Sequence, residues 1–141
     1  MHEKYIKAGH PATDIEDLRL LAKDDIDNVR RRVAENAKTP ADVLTVLSTD
    51  EHPEVRIAVA ENVGTPSHLL AVLVRDDHTD VRYALAENPL LAVELLVQLS
   101  EDENPYVSHR AMKTLRILHP IEPTTMKPSG KEENQQDRKS M

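Results

Sequence analysis

Apolar residues recur along this chain at helical spacing, and that pattern then repeats at a fixed distance. Leu44 and Leu47, Val55 and Val59, Leu70 and Leu73, and Val81 and Leu85 stand three or four positions apart, so each pair lies on one helix face. The segments Val29-Arg30-Arg31-Arg32-Val33-Ala34-Glu35-Asn36, Val55-Arg56-Ile57-Ala58-Val59-Ala60-Glu61-Asn62 and Val81-Arg82-Tyr83-Ala84-Leu85-Ala86-Glu87-Asn88 align without a gap at an offset of 26 residues (55 − 29 and 81 − 55). The same register joins Leu18, Leu44, Leu70 and Leu96, then Leu21, Leu47, Leu73 and Leu99, then Asp24, Asp50, Asp76 and Asp102. It fades into a fourth copy at Val107 and Ala111. A period in this range predicts stacked units that bury one continuous core.

Each unit predicts two helices joined by an acidic turn. The first helix opens at Thr39-Pro40 or Thr65-Pro66, where Thr is expected to cap free amides and Pro to take the first helical position. The turn is Asp50-Glu51-His52-Pro53 or Asp76-Asp77-His78-Thr79, and the second helix follows from Val55 or Val81. Asn36, Asn62 and Asn88 are expected to stop it by entering the left-handed conformation, reinforced by Pro89. Helices of about ten residues are marginal alone, so stacking must supply the stability. Ala34, Ala60 and Ala86 lie beside the apolar stripe, where a small side chain lets the next unit approach to about 8–10 Å.

These elements divide the chain into a cap segment over 1–8, a helical repeat domain over 9–119, and a polar tail over 120–141. Gly9 to Leu21 fits a first-helix half, and Tyr106 to Leu118 fits a closing helix. The tail, with Pro120, Pro123, Pro128 and the polar run Lys131 to Lys139, lacks the apolar residues a core needs and is expected to be disordered.

Composition narrows the chemistry. The 141 residues include no Cys, Trp or Phe and three Tyr, so the core must be aliphatic, and disulfides, thiolate metal sites and cysteine nucleophiles are excluded. The net charge is −7. The tail contributes none of it, because Glu122, Glu132, Glu133 and Asp137 offset Lys127, Lys131, Arg138 and Lys139, so the helical body is the acidic part and repels phosphate at long range. The first residues carry no signal-peptide core and no run of 18 apolar residues occurs, so the expected location is the cytoplasm, with no membrane partner. With three glycines and no G-x-S-x-G element, neither a phosphate loop nor a serine-nucleophile motif is found, and a non-enzyme without cofactor is expected. His52 and His78 share a repeat position, but neighbouring units stand too far apart for one metal ion.

The pattern Asn-Pro-x-Thr-Pro-x-x-Leu-Leu-x-x-Leu, an Asp-rich turn and Val-Arg-x-x-Val-Ala-Glu-Asn resembles the leucine-rich repeat variant and, more loosely, the HEAT repeats, over residues 9 to 118. Departures fall at Ala37 and Val63, where an Asn-Pro step lacks its Pro, and at Leu91-Ala92, where Thr-Pro is missing. The resemblance implies an all-α, right-handed superhelix of about four two-helix repeats. A second choice is an α/3₁₀ repeat as in the leucine-rich repeat variant. It implies a surface for partners and brings no catalytic residue. One member carries a cysteine-bound iron–sulfur cluster, which a chain without Cys cannot hold.

Two sets of side chains are candidates for roles. Arg30, Arg56 and Arg82 stand one repeat apart and follow acidic turns, so the favoured reading is a structural ladder to Asp50, Asp76 and Asp102. Its alternative is a HEAT-like DNA-binding column, helped by Arg30-Arg31-Arg32. The positions that vary within the repeat, Arg31, Ile57 and Tyr83, are expected on the exposed side of the second helices. They are flanked by the columns Asn28/Glu54/Asp80 and Glu35/Glu61/Glu87. This face is read as a protein-interaction scaffold for a basic or amphipathic protein or peptide, with nucleic acid as the less favoured partner.

Overall fold

A computed structural model describes residues 2–120, and the expected tail from 121 onward lies outside the described residues. Among the described residues the protein is all-helical, with nine α-helices and no strand. They are α1 (His2–Gly9), α2 (Ile15–Leu21), α3 (Asp27–Glu35), α4 (Ala41–Leu47), α5 (Pro53–Glu61), α6 (Ser67–Leu73), α7 (Thr79–Ala86), α8 (Val93–Leu99) and α9 (Pro105–Leu118). The even-numbered helices have 7 residues each, shorter than the spacing alone suggests. Two turns of helix cannot persist in water, so tertiary contacts hold them.

Those contacts follow the 26-residue register. The odd-numbered helices pack in series, α1 on α3, α3 on α5, α5 on α7 and α7 on α9, and each even-numbered helix packs against its odd-numbered neighbours. No pair of even-numbered helices packs to a comparable extent. The aligned columns become rows of one core: Leu18, Leu44 and Leu96; Leu21, Leu47, Leu73 and Leu99; Val29, Val55, Val81 and Val107; Val33, Val59, Leu85 and Ala111. Leu70 is the half-buried member of the first row. Each buried Leu or Val contributes about 1.5–3 kcal/mol against chain entropy, which is how such short helices become stable. Ala8, Ala34, Ala60 and Ala86 are all buried.

Residues 2–9 extend the repeat beyond the expected boundary at residue 9. Lys4 and Ala8 stand 26 positions before Arg30 and Ala34, and α1 packs on α3 as α3 packs on α5. The sequence hides this half-unit because Glu3 and Lys7 occupy the positions of Val29 and Val33.

Two local expectations are corrected. Asn36 and Asn62 do not turn left-handed: they have φ −74° and −75° with ψ 124° and 125°, and no described non-glycine residue has positive φ. Instead each side chain reaches back one repeat. Asn36 Nδ2 donates to the carbonyls of Ala8 (2.9 Å) and His10 (3.0 Å), and Asn62 Nδ2 to those of Ala34 (2.7 Å) and Asn36 (3.0 Å). Their Oδ1 atoms accept from the N–H groups of Lys38 and Gly64. Thr114, one period after Asn88, makes the equivalent bond to the Ala86 carbonyl at 2.6 Å.

The Thr hydroxyls also work in the opposite direction from that expected. Pro40 and Pro66 are the N-cap residues of α4 and α6, and neither helix has a side-chain cap. The hydroxyls of Thr39 and Thr65 donate back to the carbonyls of Val33 and Val59, each at 2.6 Å, satisfying the end of the preceding helix. Hydroxyl donation relieves a buried carbonyl, whereas the exposed first turn after Pro finds water for its amides.

Candidate functional site

The acidic turns carry a continuous ladder. Arg30 Nε donates to Asp50 Oδ2 at 2.7 Å, Arg56 to Asp76 at 2.8 Å, and Arg82 to Asp102 at 2.7 Å, while a second guanidinium nitrogen of each reaches the other oxygen. The same arginines donate through Nη1 to the carbonyls of Asp24, Asp50 and Asp76. Each guanidinium therefore ties two consecutive turns. The aspartates also fold their own turns by accepting from the N–H of His52, His78 and Asn104.

A rung missing from the sequence reading precedes these three. Lys4 pairs with Asp24 at 2.9 Å, and Asp24 accepts from the Ile26 N–H. Ser108 occupies the next arginine position, so the ladder ends there. The ladder arginine side chains are 11–15% exposed and their aspartates 9%, so the column offers little free cation to a phosphate. Burial alone pushes the Asp50 carboxyl up, but the bonds from Arg30 and the His52 N–H, with the charge of Arg30, hold it below its ordinary value. The Ile26 N–H, then Lys4, holds Asp24 low. An open cleft of about 420 Å³ at the last rung is lined by the engaged groups Asp76, Arg82 and Asp102 together with Arg75, Asp77 and Glu103.

The varying row lies elsewhere on the odd-numbered helices. Ile57 and Tyr83 are half-buried and pack against the core, and Arg31 is also half-buried, so this row does not crest toward solvent as expected. The reason is the flank on which it sits. Arg56 bonds forward to the next unit and Asn62 bonds backward, which fixes the two sides of α5. On a helical wheel Ile57 falls on the forward side with Ala60, between α5 and α7, and Ala84 falls on the facing side of α7. The outermost line of each helix belongs to the carboxylates: Glu54, Glu61, Asp80 and Glu87 are exposed, and among the described residues none pairs with a Lys or Arg.

The first acidic position behaves differently. Glu35 is paired with Arg31 and Arg32, each at 2.9 Å. Arg32 also stacks over the Tyr5 ring, 4.9 Å from its centroid, and covers Gly9, where a Cβ would meet the guanidinium. Asn28 is exposed and uncharged. Within the two acidic columns the unpaired carboxylates are thus Glu54 and Glu61 of α5, Asp80 of α7 and Glu87 at its C-cap, with Arg31 and Arg32 on one side and His109, Arg110 and Lys113 of α9 on the other. Arg31 and Arg32 stand out in the sequence as part of the Arg30-Arg31-Arg32 run, whereas the α9 border was missed there.

Glu61 sits in the middle of the acidic row, and its carboxyl is held above the ordinary value, first by partial desolvation and then by the like charges of Glu87 and Glu35. The ionised form is therefore less favourable in the folded chain than in the unfolded one, and its contribution opposes folding as pH rises. Glu61→Gln is expected to raise Tm at pH 7, with the gain shrinking in 1 M salt and vanishing below about pH 4, where both states bind the proton. Thermal melts across pH and salt check this; an unchanged or lower Tm at pH 7 would contradict it.

Among the described residues no group of three or more His, Cys, Asp or Glu gathers to hold a metal, and no helix is long and apolar enough to cross a membrane. The helix pairs and their rows define the coarse class of the molecule, an all-α protein with internally repeated units. No family model, curated protein or solved structure matches the chain.

Proposed function

We propose that this protein is a non-catalytic interaction scaffold, a right-handed α-solenoid related in design to the leucine-rich repeat variant and HEAT repeats, that binds a basic or amphipathic protein segment. The odd-numbered helices form its inner face, because they pack in series while the even-numbered helices stand further apart, and a stack bends toward its more closely packed side. The observation that carries the reading is the set of exposed carboxylates Glu54, Glu61, Asp80 and Glu87 around half-buried Ile57 and Tyr83. Carboxylates without cationic partners beside an apolar strip suit a partner with cations and apolar side chains on one surface. The cytoplasm is the proposed compartment.

A photo-crosslinking amino acid placed at Ile57 or Tyr83 tests the face, with the same group at Val46 or Val72 as control, since those residues are 60% and 64% exposed on even-numbered helices. Defined adducts in cells from positions 57 and 83, absent from 46 and 72, are the expected result. Equal labelling from both faces, or none from either, would sink the assignment.

A further inference from the structure

The unpaired carboxylates have a geometry that selects among basic segments. Glu54 and Glu61 lie seven positions apart on one line of α5, which at 1.5 Å per residue separates them by about 10 Å along the axis. Asp80 on α7 and Glu87 at its C-cap repeat this spacing, and α7 packs on α5 at an interaxial distance of about 8–10 Å. The four carboxylates therefore mark the corners of a rectangle whose diagonal is about 13 Å. Its floor is apolar: Ile57 comes from α5 and Ala84 from α7, both half-buried, with Tyr83 beside them.

We propose that this window between α5 and α7 takes an extended peptide segment of the pattern basic–x–apolar–x–basic, with the apolar side chain over Ile57 and Ala84 and the two Lys or Arg side chains at diagonal corners. The inference rests on the scaffold reading above and adds the register of the partner. Side chains at i, i+2 and i+4 of a strand share one face, and four residues span about 13 Å, the diagonal of the rectangle. An amphipathic helix would have to place its cations at i and i+7, about 10 Å apart on one face, which spans a side of the rectangle and not its diagonal.

The borders set the length. Arg31 and Arg32 on α3 and Arg110 and Lys113 on α9 repel cations placed beyond the four corners, so a long polybasic run gains nothing outside the window. A cation at Glu61 also relieves the repulsion among Glu35, Glu61 and Glu87. The apolar floor distinguishes the window from a diffuse counter-ion surface, because it rewards one central aliphatic or aromatic residue.

Selection of a random dodecapeptide display library on the immobilised full chain tests the pattern. Enrichment of basic–x–apolar–x–basic sequences is the expected result. A synthetic winner should lose at least tenfold in affinity on the combined substitution Glu54→Gln, Glu61→Gln, Asp80→Asn and Glu87→Gln. It should lose less than twofold on Glu16→Gln with Glu94→Gln, which lie on even-numbered helices. Replacing its central apolar residue by Ser should cost about fivefold or more, consistent with removing one aliphatic contact. All four window substitutions lie at exposed positions, and a cooperative circular dichroism melt with Tm no lower than that of the wild type shows that folding of that variant is intact. Winners of another pattern whose binding is lost on Ile57→Ser or Tyr83→Ala would overturn the register while leaving the face reading standing. Winners insensitive to every substitution on α5 and α7, or no enrichment at all, would overturn both.

Discussion

Asp76→Ala is expected to lower Tm by about 10–20 °C, corresponding to a loss of about 3 kcal/mol. Asp76 accepts two bonds from Arg56 and one from the His78 N–H, and it is 9% exposed, so its removal strands a guanidinium that is itself 15% exposed. Leaving one charge of a buried pair without its partner is far more destabilising than the pair itself is stabilising. Two controls isolate the cause. Asp77→Ala, at the exposed neighbouring position, should change Tm little. The double variant Arg56→Met with Asp76→Leu should lose less than the sum of the single changes, because no buried charge remains unpaired. If Asp76→Ala melts with the wild type, the ladder is ornamental.

The same ladder sets the response to acid. Asp24 and Asp50 have folded-state values below their ordinary ones, so their contribution is present above the unfolded carboxylate value of about 3.9 and is lost as pH falls through the lower folded values. Tm should therefore decline below about pH 4. Asp50→Asn should flatten that part of the curve while lowering its plateau.

Asn62→Ala is expected to lose about 2–3 kcal/mol, read as a shift of the urea midpoint. The carbonyls of Ala34 and Asn36 would each lose the donor that joins one repeat to the next, in a position where Asn62 is 9% exposed and water cannot replace it freely. Asn88→Ala supplies the comparison. Its side chain is half-buried and its Oδ1 accepts from the Leu90 N–H at 2.8 Å, a local turn bond, so the expected loss is below about 1 kcal/mol. Equal losses at both positions would mean that the Asn side chains act only within their own turn.

Much of this molecule was readable in one dimension, but in particular ways. Leu44, Leu47, Val55 and Val59 reveal a helix pair because apolar side chains must share a face, and the 26-residue recurrence reveals stacking because a lone pair cannot bury that face. The arginine and aspartate columns were visible for the same reason. Lys4 escaped notice because α1 keeps its ladder cation and Ala8 while replacing two core valines with Glu3 and Lys7, a trade that the end of a stack tolerates. Asn36 and Asn62 were misread because helix-ending Asn has two local uses, and only the position of the preceding repeat supplied the carbonyls that decided between them.

The candidate site divides along the same line. Spacing alone determined that residues 31, 57 and 83 vary inside a constant frame and that acidic columns run beside them. Only the tertiary structure decided that this row is half-buried, that Glu35 pairs with Arg31 and Arg32, and that among the described residues Glu54, Glu61, Asp80 and Glu87 have no Lys or Arg partner. A sequence period fixes which side chains are equivalent, because equivalent positions repeat identical local geometry. It does not fix which neighbour each side chain meets, since that depends on the distance and direction between helices far apart in the chain.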